Sequence, residues 1–353
     1  MILKENEPLA PLTTLGVGGP ARWFAEAEIE AQIAEAAAWA RGRGVPLFVL
    51  GGGSNLLVSD AGFDGLVLQV RLRGVSGVSA FLRDAEGIQI FRVSAGEDWD
   101  KFVARAVVNH CAGIECLAGI PGTVGGTPVQ NVGAYGQEVG SVIERVRAFD
   151  LHRAEFVDLT AAECEFSYRR SRFNTDDRGR FVVTRVDYRL RRGGAPTITY
   201  PDLQRALNER GAAGGQPSLA EVAGTVRRIR RSKGMLLVEG DPDCRSAGSF
   251  FKNPVITAER FGEIAERGVP PPNFPAGPEL VKVPAAWLIE QSGFGKGYTL
   301  GAAGISSRHT LALVNRGGAT AAQILALARQ ISARVEERFG IRLEMEPVMV
   351  GFS

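Results

Sequence analysis

Apolar positions along the chain follow two periods, and the switches between them mark out the elements. Helical spacing and strong helix formers run over residues 25–41 (AEAEIEAQIAEAAAWAR), ahead of Gly42 and Gly44. Helical spacing returns over 98–109, where Trp99, Phe102 and Val103 share a face, and over 320–339, where Ile324, Leu327, Ile331 and Val335 do. A further helix is expected over 218–233, with Ser218 and Glu221 spaced as a capping box. Short apolar runs bounded by turn residues predict strands at 45–50, 66–70, 88–93, 142–150 and 181–190, with a last apolar strand at 341–350. Residues before 25 read as an extended lead-in, and the polar, glycine-broken stretch 193–217 as a surface excursion. Strands and helices are intermixed, there is no internal repeat, and composition shifts near 70 and 230 suggest domain boundaries.

One stretch fits neither period. LAGIPGTVGGTPVQNVGAYG, residues 117–136, carries glycines at 119, 122, 125, 126, 133 and 136 among Ile120, Val124, Val129, Val132 and Tyr135. A flexible linker would be polar and a buried strand would avoid glycine. Glycine lets backbone N–H groups approach a ligand closely, and clustered N–H groups favour an anion such as a pyrophosphate. GGGSN at 51–55 is a second such loop and follows an expected strand. Neither loop has the GxxxxGK[ST] spacing of a nucleoside-triphosphate site, and no strand runs into GxGxxG with an acidic residue beyond it. The two loops therefore suggest one extended ligand held by backbone, with purely structural turns as the alternative.

Composition narrows the classes. The 353-residue chain is 45% hydrophobic and 23% charged, with a formal net charge of +2, which gives no general case for a nucleic-acid partner. Arginines instead cluster locally, at 169, 170 and 172 and again at 227–231, which fits a small anionic ligand or a solvated face. Four cysteines form no CxxC pair, three dispersed histidines suggest no metal site, and the start lacks the features of a secretory signal. No apolar run is long enough to span a bilayer, so a cytoplasmic protein without membrane insertion is expected.

Three polar constellations remain. In YRRSRF (168–173) an arginine beside tyrosine and serine could hold a carboxylate, or could be a solvated loop. In AGSFFKNP (247–254) Ser249 follows a glycine and precedes an apolar wall; no GxSxG turn or His–Asp pair marks it as a nucleophile, so proton donation or a plain turn stays open. Glu344 and Glu346 in RLEMEPV lie two apart on an expected strand and so share a face, which an exposed strand end also explains.

Taken together, TLGVGGPARWF, LGGGSNLLVSD, GIECLAGIPGTVGG, QNVGAYGQE, YRRSRF, AGSFFKNP, AAWLIEQSGFGKG and LEMEPVMVG occur in the order found in the UDP-N-acetylenolpyruvoylglucosamine reductase (MurB) family, which the chain resembles from Thr14 to Gly351. The resemblance implies an α+β fold of three domains. Two would form a vanillyl-alcohol-oxidase-type FAD-binding unit, 1–70 and 71–230 with a C-terminal strand in 340–353, and 231–339 would bind substrate. It implies noncovalent FAD held by Gly51, Gly52, Gly53, Ser54 and Asn55 and by Ile120, Pro121, Gly122, Thr123, Gly125, Gly126, Asn131, Gly133, Ala134 and Tyr135. NADPH would be the hydride donor and UDP-N-acetylglucosamine enolpyruvate the small-molecule substrate, using one pocket in turn. Ser249 matches the family's proton donor, Arg169 the arginine on the substrate carboxylate, and Glu346 the acidic residue that assists, with Glu344 as fallback. Lys233 and Asn253 match positions on the substrate diphosphate, and Tyr200 resembles the mobile tyrosine that covers substrate in the longer, Tyr-loop branch. Pro347 departs from the commoner order of the last strand. A monomer with no metal and no nucleic-acid partner is expected.

Overall fold

The computed structural model describes residues 1–77, 87–209, 216–266, 268 and 270–352. The chain divides into two compact units. The first comprises Met1–Glu7, Ala21–Gly53 and Asp64–Arg231; the second comprises Pro8–Pro20, Ser54–Phe63 and Ser232–Ser353.

The first unit is built on two larger sheets, beside a short hairpin of Gly133–Ala134 with Gln137–Glu138. Leu3–Pro8, Pro20–Ala27, Phe63–Val70 and Leu47–Leu50 lie side by side in that order, the last two parallel with Leu47 opposite Leu66 and Leu50 opposite Gln69. The strand Leu47–Leu50 therefore delivers its C-terminal end directly into the first glycine loop. The larger sheet has Phe181–Arg192 at its centre, antiparallel to Ile143–Asp150 on one side and to Ile88–Ser94 on the other, with Val186 facing both Val146 and Val93 across the ladders. All three valines are fully buried, as the alternation of this strand requires.

The helix Trp99–Val108 covers this sheet, with Asp98 as N-cap accepting the Lys101 amide at 2.8 Å. It buries Trp99, Phe102, Val103 and Ala106, and the Phe102 ring lies 5.0 Å from that of Tyr188 on the central strand. Two buried polar contacts then fasten the glycine-rich stretch to this core. The Trp99 indole N–H donates to the Leu117 carbonyl at 3.2 Å, and the hydroxyls of Tyr188 and Thr127 lie 2.7 Å apart. Each satisfies a buried polar group that would otherwise be costly.

Three expected elements of this unit are corrected. Residues 25–27 belong to the strand Pro20–Ala27, and the helix begins at Glu30, where Gln32 Oε1 accepts the amides of Glu28 at 2.7 Å and Ile29 at 3.2 Å. Ala25 and Ala27 are good helix formers, but pairing in a sheet overrides so weak a preference. The lead-in is likewise two paired strands, not one extended run. The surface stretch after 193 carries a helix, Pro201–Asn208, anchored by buried Leu203 and Leu207; glycines 211, 214 and 215 lie outside the described residues.

In the second unit Ser246–Ser249, Ala312–Asn315, Ala303–Ile305 and Thr299–Leu300 form an antiparallel sheet. The long helix Ala321–Phe339 buries Ile324, Leu327, Ala328, Ile331 and Val335, so the stripe seen in the sequence is its core face. Thr320 caps it, Asp60 accepts the Ala321 and Ala322 amides at 2.7 and 2.8 Å, and Gly340 ends it in the left-handed region at φ 63°. The last strand is shorter than expected. Regular pairing is confined to Val348–Val350, parallel to Leu56–Val58; ahead of it Met345 makes a single bridge to Phe251, and Pro347, with no N–H to donate, separates the two.

Candidate active site

Two glycine turns of the first unit touch backbone to backbone. A Cβ on Gly52 would lie 2.6 Å from Gly122 Cα and 3.0 Å from Thr123 N, so no side chain fits there. Gly53 and Gly122 take φ of 65° and 128°, which side chains other than glycine rarely adopt. Among the described residues, the amides of Gly52, Gly53, Gly122 and Thr123 donate to no protein acceptor. Four such N–H groups on adjoining turns fit a diphosphate, which supplies the acceptors they lack. Gly125 serves packing instead: its amide donates to Ala95 O at 2.8 Å, and a Cβ there would meet Ala95 Cβ at 2.6 Å.

The far end of the glycine segment is held by side chains. Asn131, 2% exposed and at φ 45°, donates to the Ser167 carbonyl at 2.9 Å and to Glu138 at 2.8 Å, while its Oδ1 accepts the Gly140 amide at 2.9 Å. Its side chain is thus spent on shaping the loop. The Ser167 bond fixes the turn that carries Arg169, closed by reciprocal backbone bonds between Ser167 and Arg170. Arg169 sits at φ 57°, its carbonyl accepts from Asn174 at 3.1 Å, and Ser171 Oγ donates to Val129 O at 2.7 Å. A Cβ on Gly133 would lie 3.5 Å from Arg169 Nη1, so the guanidinium runs past this glycine. Tyr135, at φ 50°, meets Tyr200 edge-on at 5.4 Å between ring centroids. Arg169, Gly133, Ala134, Tyr135 and Tyr200 are therefore gathered at one end of the glycine segment. Three non-glycine residues at positive φ in so short a space are local strain held in place by these bonds.

In the second unit, Ser249 ends a strand and faces Ala312. The next two residues, Phe250 and Phe251, are 0% and 1% exposed and stack edge-on at 5.6 Å, anchoring the strand while Ser249 stays half-buried. The segment with the glutamates is pinned to it: Glu346 N donates to Phe250 O at 2.9 Å, Phe251 pairs with Met345, and Lys252 N donates to Glu344 O at 2.9 Å. Asn55 joins from the other side, accepting the Val348 amide at 2.9 Å and donating to Glu346 O at 3.4 Å. Ser249, Asn55 and Glu346 are thus brought together. The two glutamates do not share a regular strand face, since only Met345 between them forms a bridge. Glu344 is exposed and ion-paired with Lys252, while Glu346 is half-buried.

The diphosphate candidates are differently placed. Asn253 Oδ1 accepts the Ala285 amide at 2.9 Å and so caps the helix Ala285–Gln291. Lys233 precedes Gly234 (φ 65°), where a Cβ would lie 3.1 Å from the Arg308 guanidinium. Arg308 pairs with Asp241 and, at 3.0 Å, with Asp243, whose Oδ2 also accepts Ser307 Oγ at 2.6 Å. Arg308 holds the Asp241 carboxyl below the ordinary range; at Asp243, burial pushes up, and Ser307 with Arg308 outweighs it to hold that carboxyl low as well. All four cysteines are free and buried, and burial pushes the Cys116 and Cys164 thiols up to about 12, so they are unreactive. Glu115, fully buried beside the glycine segment, is not among the residues that motif reasoning singles out; its one signal is an acidic residue inside the apolar run GIECLAG.

Residues 21–159 match the model of an FAD binding domain, and residues 241–350 match that of the UDP-N-acetylenolpyruvoylglucosamine reductase C-terminal domain. The UDP-N-acetylenolpyruvoylglucosamine reductases of Streptomyces coelicolor and Thermobifida fusca are each 47% identical to the chain, covering 99% of it and 90% and 98% of themselves. The crystal structure of UDP-N-acetylenolpyruvylglucosamine reductase (MurB) from Thermus caldophilus superimposes with a TM-score of 0.66 at 28% identity, covering 99% of the chain and all of that structure. With this identity sustained over nearly its whole length, and with an α+β fold that carries an FAD-binding domain, the chain belongs to the UDP-N-acetylenolpyruvoylglucosamine reductase family.

Proposed function

We propose that Arg169, Ser249 and Glu346 carry the chemistry of this family member. The chain is an FAD-dependent oxidoreductase that uses NADPH to reduce UDP-N-acetylglucosamine enolpyruvate to UDP-N-acetylmuramate, in peptidoglycan precursor synthesis. Held by the turns at Gly52–Gly53 and Gly122–Thr123, FAD would supply the hydride chemistry that links NADPH to substrate C3. Everything else falls to the protein. Hydride addition leaves negative charge shared between C2 and the substrate carboxylate. Arg169 holds that carboxylate with a guanidinium and stabilises the charge as it develops. Ser249 Oγ delivers the proton to C2. A serine hydroxyl is a weak acid, so Glu346 and Arg169 are assigned the polarisation of its surroundings.

The observation that carries this reading is the bond from Glu346 N to Phe250 O, which sets the carboxylate-bearing segment beside the strand end that presents Ser249. The free amides of Gly52, Gly53, Gly122 and Thr123 would hold the cofactor diphosphate, with Gly51, Ser54, Asn55, Ile120, Pro121, Gly126, Gly133, Ala134 and Tyr135 assigned to the rest of a noncovalent cradle whose loop Gly125 and Asn131 shape. Lys233 and Asn253 are assigned to the substrate diphosphate and Tyr200 to covering substrate. Among the described residues no helix is long and apolar enough to cross a membrane. The proposal is completed by a cytoplasmic monomer that needs neither metal nor nucleic acid. Purified holoenzyme is expected to oxidise NADPH in steady turnover only when UDP-N-acetylglucosamine enolpyruvate is supplied. A rate indifferent to that substrate overturns the reading.

A further inference from the structure

Glu115 stands in the short turn just ahead of the glycine segment and is 0% exposed. Among the described residues no cation pairs with it. Burying an acidic group without a cation is expensive, and an apolar residue would avoid the cost. Its carboxyl instead takes three N–H bonds: Oε2 accepts the Gly113 amide at 2.8 Å, while Oε1 accepts Gln137 Nε2 at 2.9 Å and the Thr197 amide at 2.8 Å. All three partners are donors, so an acceptor-only carboxylate fits where an amide would turn an NH2 toward another N–H.

Those bonds join places far apart in the chain. Gln137 lies just beyond the glycine segment, and Thr197 lies three residues before Tyr200. The same knot includes Gln137 Nε2 to Thr197 Oγ1 at 3.1 Å, the Cys116 amide to Gln137 Oε1 at 2.8 Å, and Cys116 Sγ to Thr197 O at 3.2 Å. Gly136, at φ 88°, lets the arm pass: a Cβ there would lie 2.2 Å from Thr199 Oγ1. The arm ends at Tyr200, edge-on to Tyr135. A buried, fully satisfied network of this kind fixes one arrangement of the groups it joins.

We infer that Glu115 is a positioning residue for substrate binding: it fastens the arm that bears Tyr200 to the end of the cofactor-binding glycine segment, and so sets where Tyr200 lies. The inference rests on the assignment of Tyr200 to substrate. Glu115→Gln is isosteric and loses at least one of the three bonds. In this variant KM for UDP-N-acetylglucosamine enolpyruvate rises about tenfold, kcat and flavin content stay within about twofold, and the Thr197 amide exchanges faster with solvent. In a Tyr200→Ala background the same substitution leaves KM unchanged, because the two residues act as one unit. A KM penalty that persists in full in that background overturns the inference while leaving Tyr200 in its role. Loss of flavin in proportion to the loss of activity also overturns it, since a general structural defect then suffices. If Tyr200→Ala alone does not change KM, the assignment of Tyr200 falls and this inference with it. Where Glu115→Gln folds poorly, Gln137→Met removes one of the three donors to Glu115 and the link to Thr197 Oγ1 together, with a rise in KM of about threefold expected and no rise overturning the inference.

Discussion

The glycine segment and the Ser249 strand present their functional groups by opposite means. In the first, backbone amides are the working groups, and the chain is bent to expose them: Gly122 holds positive φ, as do Asn131 and Tyr135 through contacts made around them. In the second, side chains are the working groups, on a short strand whose register breaks between Ser246 and Ser249 with Gly248 at φ 73°, stiffened by two buried phenylalanines and by the bond from Glu346 N to Phe250 O. A backbone site is spoiled by adding atoms, whereas a side-chain site is spoiled by removing them.

Three substitutions test that contrast. The largest effect is expected for Ser249→Ala, which removes one oxygen from a half-buried position. In rapid mixing, NADPH still reduces the holoenzyme at the wild-type rate, while the substrate-dependent half-reaction slows by about a hundredfold or more. Equal slowing of both halves would move Ser249 out of the proton-donor role. Next is Gly52→Ala, which adds one carbon 2.6 Å from Gly122 Cα. The two turns must part, so flavin affinity falls about tenfold, measured as cofactor retained after gel filtration, and the substrate half-reaction of any loaded enzyme is nearly normal. Full retention would show that these turns do not hold the cofactor. The smallest effect is expected for Glu344→Gln. Its side chain is 71% exposed in the pair with Lys252, so stability changes by about 0.2–1 kcal/mol in thermal melts and kcat stays within about twofold. A large loss of kcat would transfer the role assigned to Glu346 to its neighbour.

Legibility follows range in the chain. The helices Trp99–Val108 and Ala321–Phe339 are visible in the sequence because their caps and apolar stripes are local. The loops at 51–53 and 117–136 are visible because glycines repeated among apolar residues suit neither a solvated linker nor a buried strand. The strand at 25–27 is not visible, since its alanines favour a helix and its partners lie elsewhere in the chain. The stretch after Ile341 reads as one long strand because its residues suit one, but before Val348 it makes only the Met345 bridge, since regular pairing needs a neighbour and an N–H that Pro347 lacks. Asn131 reads as a ligand contact, yet its side chain is taken up by Ser167, Glu138 and Gly140.

By itself the sequence determined the α+β character, the two backbone-lined glycine loops, and, through eight ordered motifs, the family and its reaction. These depend on residue type, spacing and order, which are local quantities. Only the tertiary structure decided that Gly52 and Gly122 must touch, that Glu346 is pinned beside Ser249 while Glu344 is turned to Lys252, and that Glu115 is knotted to residues 22 and 82 positions away. Hydrogen bonds over such separations leave no period in the sequence. They exist because folding brings a buried carboxyl to three donors that would otherwise go unsatisfied.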